Sequence, residues 1–182
     1  MRKNWFAITH RNREFKQERL RILEKELTGE TISAEGIEEY KKMKELAEGV
    51  YTKCGAGLPE RVYHDYMVVK LKEKYKSVIQ EQRQPFMVDG NPCGSVIPDI
   101  LASNDNGDYV IEVKIAKLNR GFLQLGQYVL NNVGRIGFLV GYLVSGVELY
   151  MILSISERVC VCFDGEKLYG MNLLRKTLLD EL

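Results

Sequence analysis

The sequence has few of the residues that build disulfide scaffolds and histidine-rich metal centres. Its 182 residues include four cysteines and two histidines, and no two cysteines follow the C-x-x-C spacing. A small disulfide scaffold and a histidine-rich metal site are therefore excluded. No apolar segment follows the first four residues, so we expect no signal peptide and a reducing, cytoplasmic location. Buried thiols are favoured over a zinc or iron–sulfur site for the cysteines, which are Cys54, Cys93, Cys160 and Cys162.

The sequence has no excess of positive or negative charge. It also has no unbroken apolar segment long enough to span a membrane. The 26 lysines and arginines against 25 aspartates and glutamates leave a net charge of +1. Any nucleic-acid site must therefore come from a local patch of charge. Residues 136–155 carry a single charge, Glu148, but several glycines and the Ser145-Gly146 pair interrupt them. We predict two buried strands joined by a tight turn there, and no membrane partner.

Charge changes sharply along the N-terminal part of the chain. Residues 1–25 contain eight basic and three acidic residues, whereas residues 26–50 contain three basic and seven acidic residues. The apolar spacing predicts a first helix ending near Leu27, and a second helix that Ser33 caps and that ends near Gly49. We predict a helical appendage over residues 1–50 and a second unit over residues 51–182. The basic half of the appendage fits either a solvated helix face, which we favour, or a contact with phosphates.

Helical and strand patterns alternate from residue 51 onward. The composition, 45% hydrophobic and 28% charged, is that of an ordinary globular protein. The order of elements predicts an α/β fold, with a mixed β-sheet flanked by helices. The predicted helices cover residues 58–75, 118–132 and 168–182, and the predicted strands cover residues 78–88, 95–102, 109–115, two runs within 136–155, and 158–163.

Two carboxylates and a lysine are predicted to meet across one hairpin. Glu112 and Lys114 are two residues apart on a predicted strand, so their side chains point to the same face. Asp99 stands in an apolar run 13 residues before Glu112, and the turn-forming residues 104–108 lie between them. If this turn closes a hairpin, Asp99 and Glu112 are close enough to share a divalent cation. Carboxylate oxygens suit Mg²⁺, and Lys114 can hold the attacking water or the scissile phosphate.

Other polar residues fall on the two helices around this hairpin. Glu60 shares a helix stripe with Tyr63 and His64, where a carboxylate needs a partner or a metal ion. A favourable interaction of Glu60 with the helix dipole explains its position equally well, so both interpretations stay open. Gln124 and Tyr128 lie four residues apart on the next helix, a spacing that is common and unspecific by itself.

Three short motifs occur in order along this region. Pro98-Asp99 followed by Glu112-Val113-Lys114 resembles the signature of the PD-(D/E)XK nuclease superfamily. Residues 57–63, which read Gly-Leu-Pro-Glu-Arg-Val-Tyr, are similar to the defining motif of its GxxExxY family. Gln124 and Tyr128 are similar to the Q-x-x-x-Y motif of RecB-type exonucleases. The resemblance covers about residues 51–145.

The resemblance implies a restriction-endonuclease-like core, a mixed β-sheet flanked by helices, with Mg²⁺ or Mn²⁺ as cofactor. It implies that Asp99, Glu112 and the Val113 carbonyl bind the metal and that Lys114 is the catalytic lysine. Glu60 would bind metal directly or through water. Gln124 and Tyr128 would orient the substrate or the Lys114 region. RecB-type enzymes often place a histidine on the first helix; here Glu60 holds that position, and His64, one turn on, is a secondary candidate.

The expected function is hydrolysis of DNA phosphodiester bonds by a metal-dependent nuclease. A catalytically silent nucleic-acid-binding or assembly module with the same fold is the alternative from another class. A Holliday-junction resolvase is a third interpretation, which a homodimer with two paired active sites would support. The sequence contains no G-x-x-x-x-G-K-[ST] loop and no G-x-S-x-G elbow, which argues against an ATPase and a serine hydrolase. Exonuclease and endonuclease activity are both kept as alternatives.

Overall fold

The computed structural model describes residues 32–88, 90–116, 118–156, 159–166, 168–172 and 177–181. These residues form an α/β fold with a mixed sheet flanked by helices, which confirms the predicted fold class. The helices are α1 (Ala34–Cys54), α2 (Glu60–Lys72) and α3 (Leu118–Leu130). The strands are β1 (Ser77–Gln80), β2 (Gln84–Val88), β3 (Asn91–Val96), β4 (Ile100–Asn104), β5 (Gly107–Lys114), β6 (Ile136–Leu143), β7 (Gly146–Ser156), β8 (Val159–Phe163), β9 (Leu168–Asn172) and β10 (Thr177–Glu181).

Eight strands form one sheet, in the order β1-β4-β5-β6-β7-β8-β9-β10. Strands β5 and β6 are parallel, and α3 is the crossover between them. The other neighbours in this sheet are antiparallel, and β2 and β3 form a separate two-stranded ribbon. The connection between β6 and β7 is the tight turn predicted at Ser145-Gly146.

The helix α1 begins where the sequence predicts it. The Ser33 hydroxyl accepts a hydrogen bond from the Gly36 backbone N–H at 3.1 Å and so satisfies one of the unpaired donors of the first turn. The helix ends at Cys54, beyond the end predicted near Gly49, and its Met43, Ala47 and Val50 are fully buried. The division of the chain at residue 50 stays a prediction, because the helix predicted to end near Leu27 and the basic segment lie outside the described residues.

Two apolar cores cover the two faces of the sheet. The first contains side chains of α1, α2 and the strand residues Ile111 and Val113. The second contains the apolar face of α3 together with Val110. Because side chains alternate along a strand, Glu112 and Lys114 share the face of Val110, on the side of α3. The sheet therefore places these two charged residues next to the helix that follows their strand.

The C-terminal prediction is wrong. The sequence pattern predicts a helix over residues 168–182, but their described parts form β9 and β10, and Val161 of β8 pairs with Gly170 of β9. The edge of β8 offers unpaired backbone donors and acceptors, which β9 satisfies. The Asp164-Gly165 dipeptide between β8 and β9 is a hairpin signal, and Gly165 has a φ of 105°.

Two predicted strands are each divided in two. The segment predicted over residues 78–88 forms β1 and β2, and Glu81 between them has a positive φ of 48°. The segment predicted over residues 95–102 belongs to two strands: β3 ends at Val96, and β4 begins at Ile100. In the described part of the chain, no helix combines the length and the apolar character needed to cross a membrane.

Candidate active site

The predicted hairpin between β4 and β5 is confirmed. Ile100 pairs with Ile111 at one end of it, and Asn104 pairs with Gly107 at the turn. Asp99 directly precedes β4, so the hairpin brings it to the last residues of β5. The Asp99 backbone N–H donates a hydrogen bond to Glu112 Oε1 at 3.2 Å. The hairpin therefore places the two carboxylates side by side.

Lys114 lies between these carboxylates. Its Nζ atom is 3.0 Å from Asp99 Oδ2 and 2.8 Å from Glu112 Oε2. Asp99 Oδ2 also accepts a hydrogen bond from the Val113 backbone N–H at 3.0 Å. The Lys114 side chain is 15% exposed, that of Asp99 29% and that of Glu112 1%. The charged cluster thus runs from a buried carboxylate to a solvent-accessible one.

The surroundings change the acidity of two members of the cluster. Burial raises the pKa of Glu112 to about 7, and the negative charge of Asp99 contributes in the same direction. Burial alone would lower the pKa of Lys114, but the Glu112 and Asp99 carboxylates outweigh it and hold the Lys114 pKa above its ordinary value. Lys114 therefore carries its proton at neutral pH, while Glu112 exchanges its proton near neutrality.

Glu60 reaches the same cluster from α2. It is the first residue of that helix, its Oε1 atom lies 4.0 Å from Lys114 Nζ, and its Oε2 atom accepts a hydrogen bond from the Ile115 backbone N–H at 3.2 Å. Its side chain is 44% exposed. Glu60 therefore occupies the helix start, where the dipole favours it, and faces the lysine as well.

His64 lies beside the cluster without joining it. Its side chain is buried, with Nε2 3.2 Å from the Asp99 backbone carbonyl oxygen and Nδ1 3.0 Å from Asp65 Oδ1. The Glu81 backbone N–H donates to the same Asp99 carbonyl at 3.1 Å. Both ring nitrogens thus face groups other than the carboxylates of the cluster, and His64 holds the main chain at Asp99.

The two predicted positioning residues lie on the face of α3 that meets the cluster. Tyr128 is buried; burial and the charge of Glu112 raise its pKa, and a hydrogen bond with the Gln124 side chain opposes this rise. Gly121 permits the close approach of α3 to the sheet, because a Cβ atom there would lie 2.5 Å from Leu139 Cδ1. Gln124 also lines an open cavity of about 350 Å³ together with Glu60, Lys114, Ile115, Ala116 and Arg120.

Arg120 also lines this cavity, although no motif in the sequence indicates it. Arg120 is exposed at the mouth of the cavity, in the first turn of α3. Its position four residues before Gln124 was the available signal, because residues at i and i+4 share a helix face.

The donor chemistry of the cluster fits Mg²⁺ or Mn²⁺. Asp99 and Glu112 provide carboxylate oxygens from neighbouring strands, and their mutual repulsion is what a cation relieves. In the arrangement described, the Lys114 ammonium group occupies the position between them, and no three His, Cys, Asp or Glu side chains of the described residues form a ready metal site. The assignments of Asp99, Glu112, Glu60 and the Val113 carbonyl as metal ligands all stay predictions.

Comparisons with known proteins place this geometry in a family. The crystal structure of SSO0001 is similar to this chain with a TM-score of 0.36 and 20% identity, over 63% of this chain and 60% of that one. The similarity spans less than two thirds of SSO0001, and at this TM-score we base no conclusion on it. A comparison with curated proteins finds no match. A family model of the PD-(D/E)XK nuclease superfamily matches residues 38–148, more than half of the chain. With the hairpin of Asp99, Glu112 and Lys114 in place, we conclude that the chain belongs to the PD-(D/E)XK nuclease superfamily.

Proposed function

We propose that this protein is a Mg²⁺- or Mn²⁺-dependent nuclease that hydrolyses phosphodiester bonds of DNA. The observation that carries the proposal is the position of Lys114 Nζ, within 3.0 Å of two carboxylates from neighbouring strands. A structural ion pair needs one carboxylate for one ammonium group. A second and a third carboxylate around the same lysine, at the edge of an open cavity, fit a site that binds a further cation.

Lys114 acts by charge and hydrogen bonding. Because its pKa is raised, its ammonium group stays protonated and does not serve as a general base. It donates to a non-bridging phosphate oxygen or to the attacking water, where it stabilises the negative charge that develops at the phosphate. Its three donors allow it to keep one carboxylate contact while it makes the new one.

The carboxylates act beside Lys114, at the same end of the cavity. Asp99 and Glu112, with Glu60 and the Val113 carbonyl, would hold the metal ion, which when bound supplies positive charge to the phosphate and lowers the pKa of water. Glu112 has a pKa of about 7, so it is partly protonated at neutral pH in the free protein and loses its proton when a cation occupies the site. His64 fixes the Asp99 main chain, and Gln124 orients the Tyr128 hydroxyl next to Glu112.

Finer assignments belong to the same proposal. The segment from Gly57 to Tyr63 supports membership of the GxxExxY family within the superfamily, and Gln124 with Tyr128 supports a RecB-type motif. We also propose a cytoplasmic location and keep the two-unit division at residue 50. A homodimer with two paired active sites would support the resolvase alternative.

One experiment tests the proposal directly. The purified full chain is incubated with linear, circular, single-stranded and branched DNA in Mg²⁺, Mn²⁺ or EDTA, beside a Lys114→Ala protein purified in the same way. We expect cleavage by the parent protein in metal only, and cleavage about 100- to 1000-fold slower by Lys114→Ala. Equal cleavage by both proteins would identify a contaminating nuclease and overturn the proposal. Binding without cleavage in every metal would instead support the silent binding module, and preferred cleavage of branched DNA would support the resolvase.

A further inference from the structure

The charged cluster beside the active-site cavity does not by itself favour a polyanionic substrate. The cavity is lined by one acid, Glu60, and two basic residues, Lys114 and Arg120. Lys114 is already engaged by Asp99 and Glu112 at 3.0 and 2.8 Å. A DNA phosphate that approaches the cluster therefore meets several carboxylates and a lysine whose charge is largely balanced by them.

Arg120 is the exception among the described residues that line this cavity. It forms no salt bridge within 4.0 Å with any carboxylate that the structure describes, although Glu60 borders the same cavity. A guanidinium group that is exposed and not paired with an acid can bind an incoming phosphate at little desolvation cost. Its charge is available to the substrate, whereas that of Lys114 is shared.

The helix α3 places Arg120 on the path to the cluster. Arg120, Gln124 and Tyr128 follow each other at four-residue intervals and so share one face of the helix. Their exposure decreases in that order: Arg120 is exposed, Gln124 is half-buried and Tyr128 is buried beside the charge of Glu112. The stripe thus runs from solvent, along the cavity wall, to the carboxylates.

We propose that Arg120 is a substrate-binding residue that contacts a DNA phosphate adjacent to the scissile one while Lys114 serves the scissile phosphate. The inference rests on the proposed nuclease function and adds to it the residue that brings the polyanion into an acidic site. A fork of N–H donors matches two phosphate oxygens, so arginine is better suited to this contact than lysine.

The test measures DNA binding without cleavage and then cleavage itself. Fluorescence anisotropy with a labelled oligonucleotide, single-stranded and duplex, gives Kd for the full chain in EDTA at several salt concentrations. Arg120→Ala should raise Kd about 10- to 150-fold. The slope of log Kd against log salt should fall by about 1. Arg120→Lys should keep the salt slope and give an intermediate Kd. In Mg²⁺, Arg120→Ala should raise KM and leave kcat within a few-fold.

Arg135 provides the matched control. It is an exposed arginine directly before β6, near the turn end of the hairpin, where its Cδ atom faces Gly107. Arg135→Ala should leave Kd, KM and kcat within about twofold, because it lies away from the cavity. An equal loss of DNA affinity in Arg135→Ala and Arg120→Ala would show that the effect comes from the overall charge of the protein. That result would overturn the inference.

Two further results separate this inference from the proposal beneath it. If the parent protein cleaves DNA and Arg120→Ala has the same KM, Kd and salt slope as the parent protein, the assignment of Arg120 is wrong. The nuclease function then stands. If the parent protein neither binds nor cleaves any DNA tested, the proposed function fails and the role of Arg120 fails with it. Melting temperatures of all variants, measured in parallel, verify that each is folded.

Discussion

The hydroxyl of Tyr63 donates a hydrogen bond to the backbone carbonyl of Gly55, with 2.6 Å between the two oxygens. The same hydroxyl accepts a hydrogen bond from the Leu58 backbone N–H at 3.3 Å. Between these two contacts the chain passes Gly57, whose φ of 79° is a conformation that favours glycine. Tyr63 therefore closes the loop that leads directly into Glu60, and the glycine and tyrosine of the G-x-x-E-x-x-Y motif fix the position of its glutamate.

Tyr63→Phe should destabilise this loop without creating a cavity in the core. The ring keeps its stacked contact with Tyr142, at 4.5 Å between centroids, while the Gly55 carbonyl and the Leu58 N–H lose their partner. We expect a loss of about 1–3 kcal/mol in the free energy of unfolding. Urea denaturation measures this loss, and hydrogen exchange should become faster at the Leu58 amide.

Tyr142→Phe is the control for the loss of a buried hydroxyl in the same stack. The Tyr142 hydroxyl donates a hydrogen bond to Met67 Sδ at 3.5 Å, and Met67 lies in α2, outside the loop. Cleavage should fall more in Tyr63→Phe than in Tyr142→Phe. Equal effects of the two variants would show that Tyr63 does not act through Glu60.

Asp99, Glu112 and Lys114 should act as one unit in catalysis. Lys114→Ala should lower kcat by about 100- to 1000-fold, because a donor aimed at the developing charge is lost. Asp99→Ala and Glu112→Ala should be equally severe, and double variants should be little worse than single ones. Single-turnover cleavage measures the effect, and circular dichroism verifies the fold. Near-normal turnover in Lys114→Ala would contradict the assignment.

Metal binding should stabilise the parent protein in a pH-dependent way. At a tenfold excess over Kd, Mg²⁺ adds about 1.4 kcal/mol to the free energy of unfolding. This corresponds to an increase of roughly 3–6 °C in Tm. The shift should be smaller below pH 7, because Glu112, with a pKa of about 7, must release its proton before it binds metal. Thermal unfolding in Mg²⁺ and in EDTA, at pH values on either side of 7, measures both effects.

Asp99→Asn provides the comparison for the metal experiment. The amide oxygen can still accept the hydrogen bond from Val113, so the hairpin should fold, but the site has lost one negative charge. We expect little or no shift in Tm with Mg²⁺. A shift equal to that of the parent protein would mean that Asp99 does not bind the metal.

The hydrogen bond between Gln124 and Tyr128 should matter less than the carboxylates. Tyr128→Phe and Gln124→Ala each remove one positioning contact and leave the charged cluster unchanged. The loss of one such bond should reduce the cleavage rate by roughly 2- to 150-fold. Steady-state kinetics measures the loss, and isothermal titration with Mg²⁺ should show unchanged affinity. Complete loss of metal binding in Gln124→Ala would contradict a positioning role.

Glu39 stabilises the far end of the same hairpin. Its buried carboxylate accepts hydrogen bonds from Lys42, Asn104 and Asn106 through Oε1, at 3.0, 3.2 and 3.1 Å, and from Tyr75 through Oε2, at 3.1 Å. Burial by itself would raise the pKa of Glu39, but the hydrogen bonds from Lys42, Asn106 and Tyr75 and the charge of Lys42 hold it below its ordinary value. The turn at Asn104 and Asn106 is thereby tied to α1.

The lowered pKa of Glu39 predicts a loss of stability in acid. A carboxyl group that is more acidic in the folded state stabilises the protein above its unfolded pKa, and this contribution disappears as pH falls through the folded value. Glu39→Gln should cost about 1–3 kcal/mol at neutral pH, and the difference from the parent protein should shrink below about pH 4. Urea denaturation across this range measures it. If the difference in the free energy of unfolding between Glu39→Gln and the parent protein grows as the pH falls, the prediction is contradicted.

The central part of the site could be predicted because its information is local. The turn residues 104–108 and the alternation around Glu112 are enough to pair β4 with β5 and to bring Asp99 beside Glu112. The burial of Glu112 was not predictable in the same way. Alternation tells which face a side chain is on, but only the packing of α3 across that face removes Glu112 from water.

The errors come from contacts between distant segments. Residues 168–182 have a spacing that fits a helix in isolation, and pairing with β8 makes strands of their described parts instead. The contact of His64 with the Asp99 carbonyl has no sequence signal either, because it depends on how α2 packs against the start of β4. Such contacts are a property of the assembled sheet and helices, not of any one segment.

The short β4–β5 hairpin also determines the order in which the site assembles. Only two residues separate the paired Asn104 and Gly107, so the loop that must close is short and its entropy cost is small. Hairpins of this kind form in about 1–10 μs, whereas Glu60 arrives only when α2 packs against the sheet. Lys114 belongs to the same strand as Glu112, so the two carboxylates meet during folding with a cation already beside them.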